Sequence, residues 1–164
     1  MEGASSTIAI SRRRESLLKA QELGVDLVIN NEKEDAKSII RIKTQGEGSA
    51  VVIDTVGNPE TMRLAVEIAG KGGRVCFFAL PSEEEIILPS WDFYEKELMI
   101  TGSNRDPGTF QRAVALLEAN KVEINTLVTH RIALDEVPSF FPVLIDSKKK
   151  KSAKLIKLMI HPWQ

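Results

Sequence analysis

The sequence predicts an α/β fold built on a parallel sheet, because short apolar strands alternate with helical segments of about 10–15 residues. In the first half of the chain the predicted strands cover residues 7–11, 26–30, 51–54 and 74–78, and the predicted helices cover residues 12–23, 35–44 and 59–69. The strands are apolar along their whole length, which is typical of parallel strands covered on both faces. We therefore expect helices on both faces of the sheet.

The second half of the chain continues the alternation less regularly. Short strands are predicted at residues 86–88 and 98–101, and an amphipathic helix begins at Phe110. Residues 127–134 are expected to be extended, and residues 137–145 to form a helix that Pro142 kinks or shortens. A last strand is predicted at residues 155–160.

One expected part of such a fold is missing. A dinucleotide-binding domain begins with a strand, a G-x-G-x-x-G turn and a helix, because those glycines let the pyrophosphate reach a helix N-terminus. Nothing before Thr7 can supply this unit. The glycine-rich runs at residues 46–49 and 70–73 precede their strands, so they are expected to be ordinary turns. The sequence thus predicts an incomplete Rossmann-type sheet.

Composition excludes several classes of protein. The 164 residues are 43% hydrophobic and 27% charged, with a net charge of −1, which is typical of a globular domain and gives no support for nucleic-acid binding. No apolar run approaches the ~20 residues of a membrane span, so no membrane partner is expected. The single cysteine, Cys76, excludes an internal disulfide framework and favours a cytoplasmic location.

Five short segments carry a resemblance to a known family. They are ELGVD at residues 22–26, VIDTVG at 52–57, GGRV at 72–75, ITGS at 100–103 and LVTHR at 127–131. In this order they resemble the medium-chain dehydrogenases, specifically the zinc-type branch of sorbitol, threonine and alcohol dehydrogenases. The last segment looks especially like the polyol dehydrogenases.

The resemblance implies a domain organisation. Residues 1–124 would be a truncated Rossmann cofactor domain, without its first strand and G-x-G-x-x-G helix. Residues 125–164 would be a return segment that normally packs on the catalytic domain. In the family that domain holds the zinc ligands, so zinc is implied for the full-length enzyme and not for this chain. The family also places the missing strand in the middle of the sheet.

Ser11, Arg12 and Arg13 follow the first predicted strand. The family holds the ribose hydroxyls of NAD with an acidic residue at the position of Ser11, so serine followed by arginines implies NADP in preference to NAD. Cations in the first helical turn also face the positive end of the helix dipole, at a cost of about 0.3–1 kcal/mol each without an anion. The alternative is that Ser11 caps the helix and the arginines extend into water.

Three further turns are expected at the carboxyl edge of the sheet, where the resemblance implies contact with the ribose, nicotinamide and diphosphate of the cofactor. Their candidate binding residues are Thr55, Val56, Gly57, Ala79, Leu80, Gly102, Ser103 and Arg105. Arg105 is the expected diphosphate ligand, since a bidentate cation suits that group. The alternative is a set of ordinary strand–helix turns, with a surface arginine at position 105.

Neither metal-ligating nor catalytic residues are expected in this chain. Cys76, His130 and His161 are dispersed and lack the short-range spacing of zinc ligands. His130 is expected to be a structural hydrogen-bonding residue. The lysine run at residues 148–151 is expected to be a solvated loop.

The sequence therefore predicts the cofactor-binding part of an NADP-preferring alcohol or polyol dehydrogenase, inactive by itself, whose small-molecule substrate binds only in a full-length enzyme. Two alternatives stay open: a non-enzymatic nucleotide-binding or assembly module, and part of a zinc-free medium-chain reductase. A homodimer or larger assembly is expected, because an absent middle strand leaves backbone N–H and C=O groups unpaired at about 1–3 kcal/mol each.

Overall fold

The computed structural model describes residues 3–104, 108–121, 123–150 and 155–162. Strands and helices alternate along these residues, and the strands pair in parallel, as predicted. In chain order the elements are β1 (Ile8–Ser11), α1 (Arg14–Glu22), β2 (Leu27–Asn30), α2 (Ala36–Lys43), β3 (Ser49–Asp54), α3 (Pro59–Ile68), β4 (Ala69–Phe77), α4 (Ser90–Lys96), β5 (Met99–Gly102), α5 (Phe110–Glu118), β6 (Val128–Ala133), α6 (Val137–Lys150) and β7 (Lys157–His161).

The chain divides into two compact units. One unit comprises residues 35–109, and the other comprises residues 1–34 together with 110–164. The strands form three separate parallel sheets within the described residues: β1 with β2, β3 with β4 and β5, and β6 with β7. The first and third sheets belong to the second unit, and the three-stranded sheet belongs to the first.

The core of the 35–109 unit lies between the three-stranded sheet and α3. Val52, Val75 and Ile100 form a row across the three strands. This row packs with Ala65 of α3 and with Ala69 at the start of β4. Val75 is fully buried, and side chains alternate between the two faces of a strand. The row therefore defines the buried face of the sheet.

The other face of this sheet carries exposed apolar side chains. Val51 and Ile53 on β3 are 60% and 61% exposed, and Met99 on β5 is 56% exposed. Val51 and Met99 both pair with Arg74 of β4, so the three residues lie in one row. Burial in this unit is thus one-sided.

Local capping explains where α2 and α3 begin. The Asp35 carboxylate accepts the backbone N–H groups of Lys37 and Ser38, and the Asn58 side chain accepts the N–H of Thr61. Pro59 takes the first helical position, where its missing N–H has no cost. These caps pair backbone donors that a helix leaves open at its start.

The two glycine-rich runs pack against each other. Residues 46–48 precede β3 as a turn, as expected, whereas the expectation of a turn at residues 70–73 was wrong: they lie within β4, which already pairs with β3 at Ala69 opposite Ser49. A Cβ on Gly48 would lie 2.7 Å from the Cα of Gly70, and a Cβ on Gly70 would lie 2.2 Å from the carbonyl oxygen of Glu47. These glycines therefore allow the chain entering β3 to touch the start of β4.

In the other unit, α1 connects the parallel strands β1 and β2. Ile29 and Leu17 are buried there, with exposed fractions of 0% and 6%. The carboxylate of Asp26 accepts both the hydroxyl and the backbone N–H of Thr7 at 2.7 Å. The hydroxyl bond, followed by the backbone bond, lowers the pKa of Asp26 below its ordinary value.

The same unit contains β6 and β7, a parallel pair joined by α6. Pro142 lies inside α6, yet the helix continues to Lys150. The helix is thus longer than predicted, and it includes Lys148–Lys150 of the lysine run that was expected to form a loop. Lys151 lies outside the described residues.

In residues 81–97 one predicted strand is absent and one helix is present that was not predicted. The expected strand at 86–88 has no regular structure, and Ile87 is 84% exposed. Pro89, which cannot donate to a ladder, precedes a helix that the sequence analysis missed, α4. The amino group of Lys96 in α4 donates to the carbonyl of Glu67 at 2.9 Å and lies 3.5 Å from the Asp92 carboxylate. Contact with the end of α3 therefore stabilises α4, a helix that the sequence pattern did not indicate.

None of the helices in the described residues is long and apolar enough to cross a membrane.

Candidate functional site

The carboxyl ends of β3, β4 and β5 lie side by side in the 35–109 unit. Asp54 pairs with Phe77, and Phe77 pairs with Gly102, so the three strands end in one row. In a parallel α/β sheet this is the edge where ligands bind. The turns that follow these strands therefore form the candidate site, which we call the carboxyl-edge site.

Seven of the predicted cofactor residues lie at this site. They are Thr55, Val56 and Gly57 after β3, Ala79 and Leu80 after β4, and Gly102 and Ser103 at the end of β5. The structure brings these residues together because their strands are neighbours in the sheet. Arg105, the predicted diphosphate ligand, lies outside the described residues.

Hydrogen bonds between main chains link the three turns. The carbonyl of Asp54 accepts the N–H of Phe78 at 2.9 Å, and the carbonyl of Gly57 accepts the N–H of Ser82 at 2.8 Å. The carbonyl of Phe77 accepts the N–H of Ser103 at 3.0 Å. Each turn is thus fixed by its neighbour.

Gly57 is required for the closest of these approaches. Its φ is +78°, and a Cβ built there would lie 2.4 Å from the carbonyl oxygen of Leu80. Any side chain at this position would both strain the backbone and separate the turn after β3 from the loop after β4.

The outer surface of the carboxyl-edge site is open and largely apolar. Val56 is 55% exposed and Leu80 is 89% exposed. A Cβ on Gly102 would meet no atom within 4 Å. Exposed apolar groups beside an open glycine can hold a flat ring and a sugar, so the residues present fit the ribose and nicotinamide of a dinucleotide.

The predicted phosphate-binding residues lie in the other unit, at the junction of β1 and α1. The backbone N–H of Arg13 donates to the hydroxyl oxygen of Ser11 at 3.1 Å. The guanidinium of Arg13 donates to the carbonyl of Leu155 at 2.7 Å, which ties this junction to the segment before β7. Arg12 and Arg14 are exposed, so they are the cations at this helix start with the greatest access to solvent.

The described residues do not fit a zinc site. No group of three or more His, Cys, Asp or Glu side chains lies close enough in them to hold a metal ion. Cys76 is a half-buried free thiol on β4. A ring nitrogen of His130 lies 3.0 Å from the hydroxyl of Thr129, and its ring centroid lies 5.6 Å from that of Phe140.

Asp54, at the end of β3, is a residue of the site that is not among the candidate binding residues named from the sequence. It is 6% exposed and is the only charged residue buried within the described part of the chain. The sequence does carry a local signal for this residue: an aspartate side chain commonly accepts the backbone N–H two residues further along the chain, which favours a turn there.

Parallel strands joined by helices, with their turns gathered at one carboxyl edge, define a Rossmann-type α/β protein. The chain belongs to the zinc-binding dehydrogenase family, whose model matches residues 1–119.

Three similar proteins illustrate the family. L-threonine 3-dehydrogenase of Bacillus licheniformis is 29% identical over 87% of this chain and 42% of its own length. Sorbitol dehydrogenase of Halalkalibacterium halodurans is 27% identical over 93% of this chain and 43% of its own length. A structure from Sinorhizobium meliloti 1021, described as a zinc-binding dehydrogenase bound to NADP, is 26% identical and has a TM-score of 0.84 over 98% of this chain and 46% of that one. The chain thus spans less than half the length of these proteins.

Replacing Gly57 by alanine tests the close approach at the site. We expect Gly57→Ala to lower the free energy of unfolding by about 1–3 kcal/mol, because the added Cβ conflicts with the Leu80 carbonyl and with a positive φ. Gly102→Ala is the matched control: it lies at the same edge with open space around it, so its effect should stay within about 1 kcal/mol. Urea unfolding followed by circular dichroism measures both, and equal losses would contradict the assignment.

Proposed function

We propose that this chain is the cofactor-binding part of an NADP-preferring alcohol or polyol dehydrogenase. The observation that carries the proposal is the carboxyl-edge site, where the turns after β3, β4 and β5 meet around an open, apolar surface. Residues 1–124 would form the cofactor domain and residues 125–164 the return segment. The similarity to proteins named as threonine and sorbitol dehydrogenases supports a hydroxylated small molecule as the substrate of the whole enzyme.

The preference for NADP is proposed from the charge at the start of α1. Arg12 and Arg14 are exposed beside the helix N-terminus, where an anion is stabilised by both the dipole and the guanidinium groups. The hydroxyl of Ser11 carries no charge that would repel a 2′-phosphate. The NADP in the similar structure from Sinorhizobium meliloti supports this choice. Arg13 contributes to the junction through its bond to Leu155.

In the whole enzyme, a bound nicotinamide would supply the hydride-transfer chemistry, with a secondary alcohol as the hydride donor. The residues of this chain would bind and orient the cofactor: Arg12 at the phosphate of the adenosine ribose, and the turns at Thr55–Gly57, Ala79–Leu80 and Gly102–Ser103 beneath the ribose and nicotinamide.

Nucleotide selectivity tests this proposal directly. We expect NADP and 2′,5′-ADP to bind more tightly than NAD and ADP, and Arg12→Ala to remove most of the difference, about 1–3 kcal/mol for a charged hydrogen bond. Arg63→Ala, which removes an exposed arginine of α3, is the control and should keep the selectivity. Isothermal titration calorimetry measures these affinities. Equal or tighter binding of NAD would contradict the preference.

A second test concerns activity. We expect the 164-residue chain alone to oxidise neither sorbitol nor threonine, with or without added zinc, because its described residues supply no metal-ligand set. The assay is the near-ultraviolet absorbance of reduced nicotinamide, which rises as the cofactor accepts hydride. Zinc-dependent turnover by the purified chain, or stoichiometric bound zinc, would contradict the expectation. Nucleotide binding without turnover is also what a non-enzymatic module would show, so a full-length relative serves as the active control.

We also propose that the chain forms a homodimer or larger assembly in the cytoplasm. Within the described residues β1 pairs only with β2, and β3 pairs only with β4. The strands β1 and β3 therefore each have one edge without a partner strand. Unpaired backbone groups at a strand edge favour addition of a strand from another molecule. The exposed Val51 and Ile53 on β3 add apolar surface to this edge.

Assembly through β3 predicts a specific effect of charge. We expect the wild-type chain to scatter light as a species of at least twice the mass of one chain at micromolar concentration, and Ile53→Lys to shift it towards monomer, because a charge blocks edge pairing. Ile42→Lys, at a 75% exposed position of α2, is the control and should leave the mass unchanged. A compact wild-type monomer with slow amide exchange in β1 would rule out this mode of assembly.

A further inference from the structure

The carboxyl-edge site contains a buried charge whose hydrogen bonds are all directed to the main chain. Both oxygens of the Asp54 carboxylate accept backbone donors: the N–H of Val56 at 3.2 Å and the N–H of Gly57 at 2.9 Å. No ion pair to Asp54 is present among the described residues. Burial of a carboxylate is costly unless such bonds compensate it, so the two bonds are what allow Asp54 to lie at 6% exposure.

The main chain of Asp54 connects the same turn to the loop after β4. Its carbonyl accepts the N–H groups of Phe78 at 2.9 Å and Ala79 at 3.3 Å, while the carbonyl of Gly57 accepts Ser82 at 2.8 Å. The carboxylate therefore holds the N–H of Gly57, and the carbonyl of the same residue, in the next peptide unit, holds Ser82. The Asp54 carboxylate is thereby linked, through Gly57, to the position of the loop after β4, which it does not contact.

We propose that Asp54 is a positioning residue, whose carboxylate fixes the Thr55–Gly57 turn so that this turn and the Phe78–Ser82 loop act as one rigid platform for the nicotinamide nucleotide. The part of this inference that concerns the ligand rests on the proposed function. The alternative is that the carboxylate only pairs two local amides and has no effect beyond its own turn.

The chemistry of the side chain distinguishes the two roles. An aspartate offers two acceptor oxygens to two N–H donors, whereas an asparagine offers one acceptor and one donor. In Asp54→Asn the amide NH₂ would face one of the backbone N–H groups, so one bond is lost with little change in shape. In Asp54→Glu both acceptors remain, one methylene further out.

Amide hydrogen exchange measured by NMR tests the link without any ligand. Loss of one bond to a buried donor should raise the exchange rate of Ser82 in Asp54→Asn by about tenfold relative to the amides of Val75 and Ile100, although Ser82 has no bond to the carboxylate. Val66→Ala, a truncation of a fully buried residue in α3, is the control for general destabilisation and should accelerate Ser82, Val75 and Ile100 together. Exchange of Ser82 at the wild-type rate in Asp54→Asn, or equal acceleration of all amides, would overturn the proposal.

Nucleotide binding supplies the second measurement. In a fluorescence titration with NADPH, Asp54→Asn should weaken binding by about tenfold, while Asp54→Glu and Val66→Ala stay within about threefold of the wild type. Unchanged NADPH affinity in Asp54→Asn, with Ser82 loosened, would overturn the role in positioning the ligand. A wild-type chain that binds neither NADPH nor NADH would defeat the proposed function, and the exchange rates would still decide whether Asp54 joins the two turns.

Discussion

The carboxyl-edge site depends on one constraint, the close contact between the turn after β3 and the loop after β4. Gly57 permits this contact because its would-be Cβ position lies 2.4 Å from the carbonyl oxygen of Leu80. The main-chain bonds from Phe78 to Asp54 and from Ser82 to Gly57 hold it. Because the row Asp54–Phe77–Gly102 aligns the strand ends, the third turn follows in register. The exposed surface above these turns has its shape only while they remain together.

Apolar side chains are buried on one face of the three-stranded sheet and exposed on the other, and the exposed face favours assembly. The face of the three-stranded sheet that includes Val75 packs against α3, whereas Val51, Ile53 and Met99 on the opposite face are more than half exposed. Apolar side chains in water and strand edges without partners both favour association. The similar dehydrogenases are more than twice as long as the part of them that this chain matches. The exposed face around Val51, Ile53 and Met99 can therefore be covered by the rest of a longer protein or by a second copy of the chain.

The junction of β1 and α1 shows how one cluster of like charges is divided between two roles. Arg13 bonds the carbonyl of Leu155 and so joins the helix start to the segment before β7. Arg12 and Arg14 extend into solvent at the positive end of the helix. Cations are unfavourable there unless an anion balances them. Glu15 is the acidic residue of this first turn, and the excess of positive charge that remains is the physical basis for proposing a phosphorylated ribose as the ligand.

The sequence by itself determined the α/β alternation, the parallel pairing and the positions of most strands and helices, because apolar periodicity and caps such as Asn58–Pro59 act over a few residues. It also located the turns at Thr55–Gly57 and Gly102–Ser103, since strand ends are local features. The tertiary structure alone decided that residues 86–88 are irregular, that Lys96 holds α4 against the end of α3, and that Arg13 bonds Leu155. The contacts of Lys96 and Arg13 join residues 29 and 142 positions apart, and no local pattern encodes such contacts.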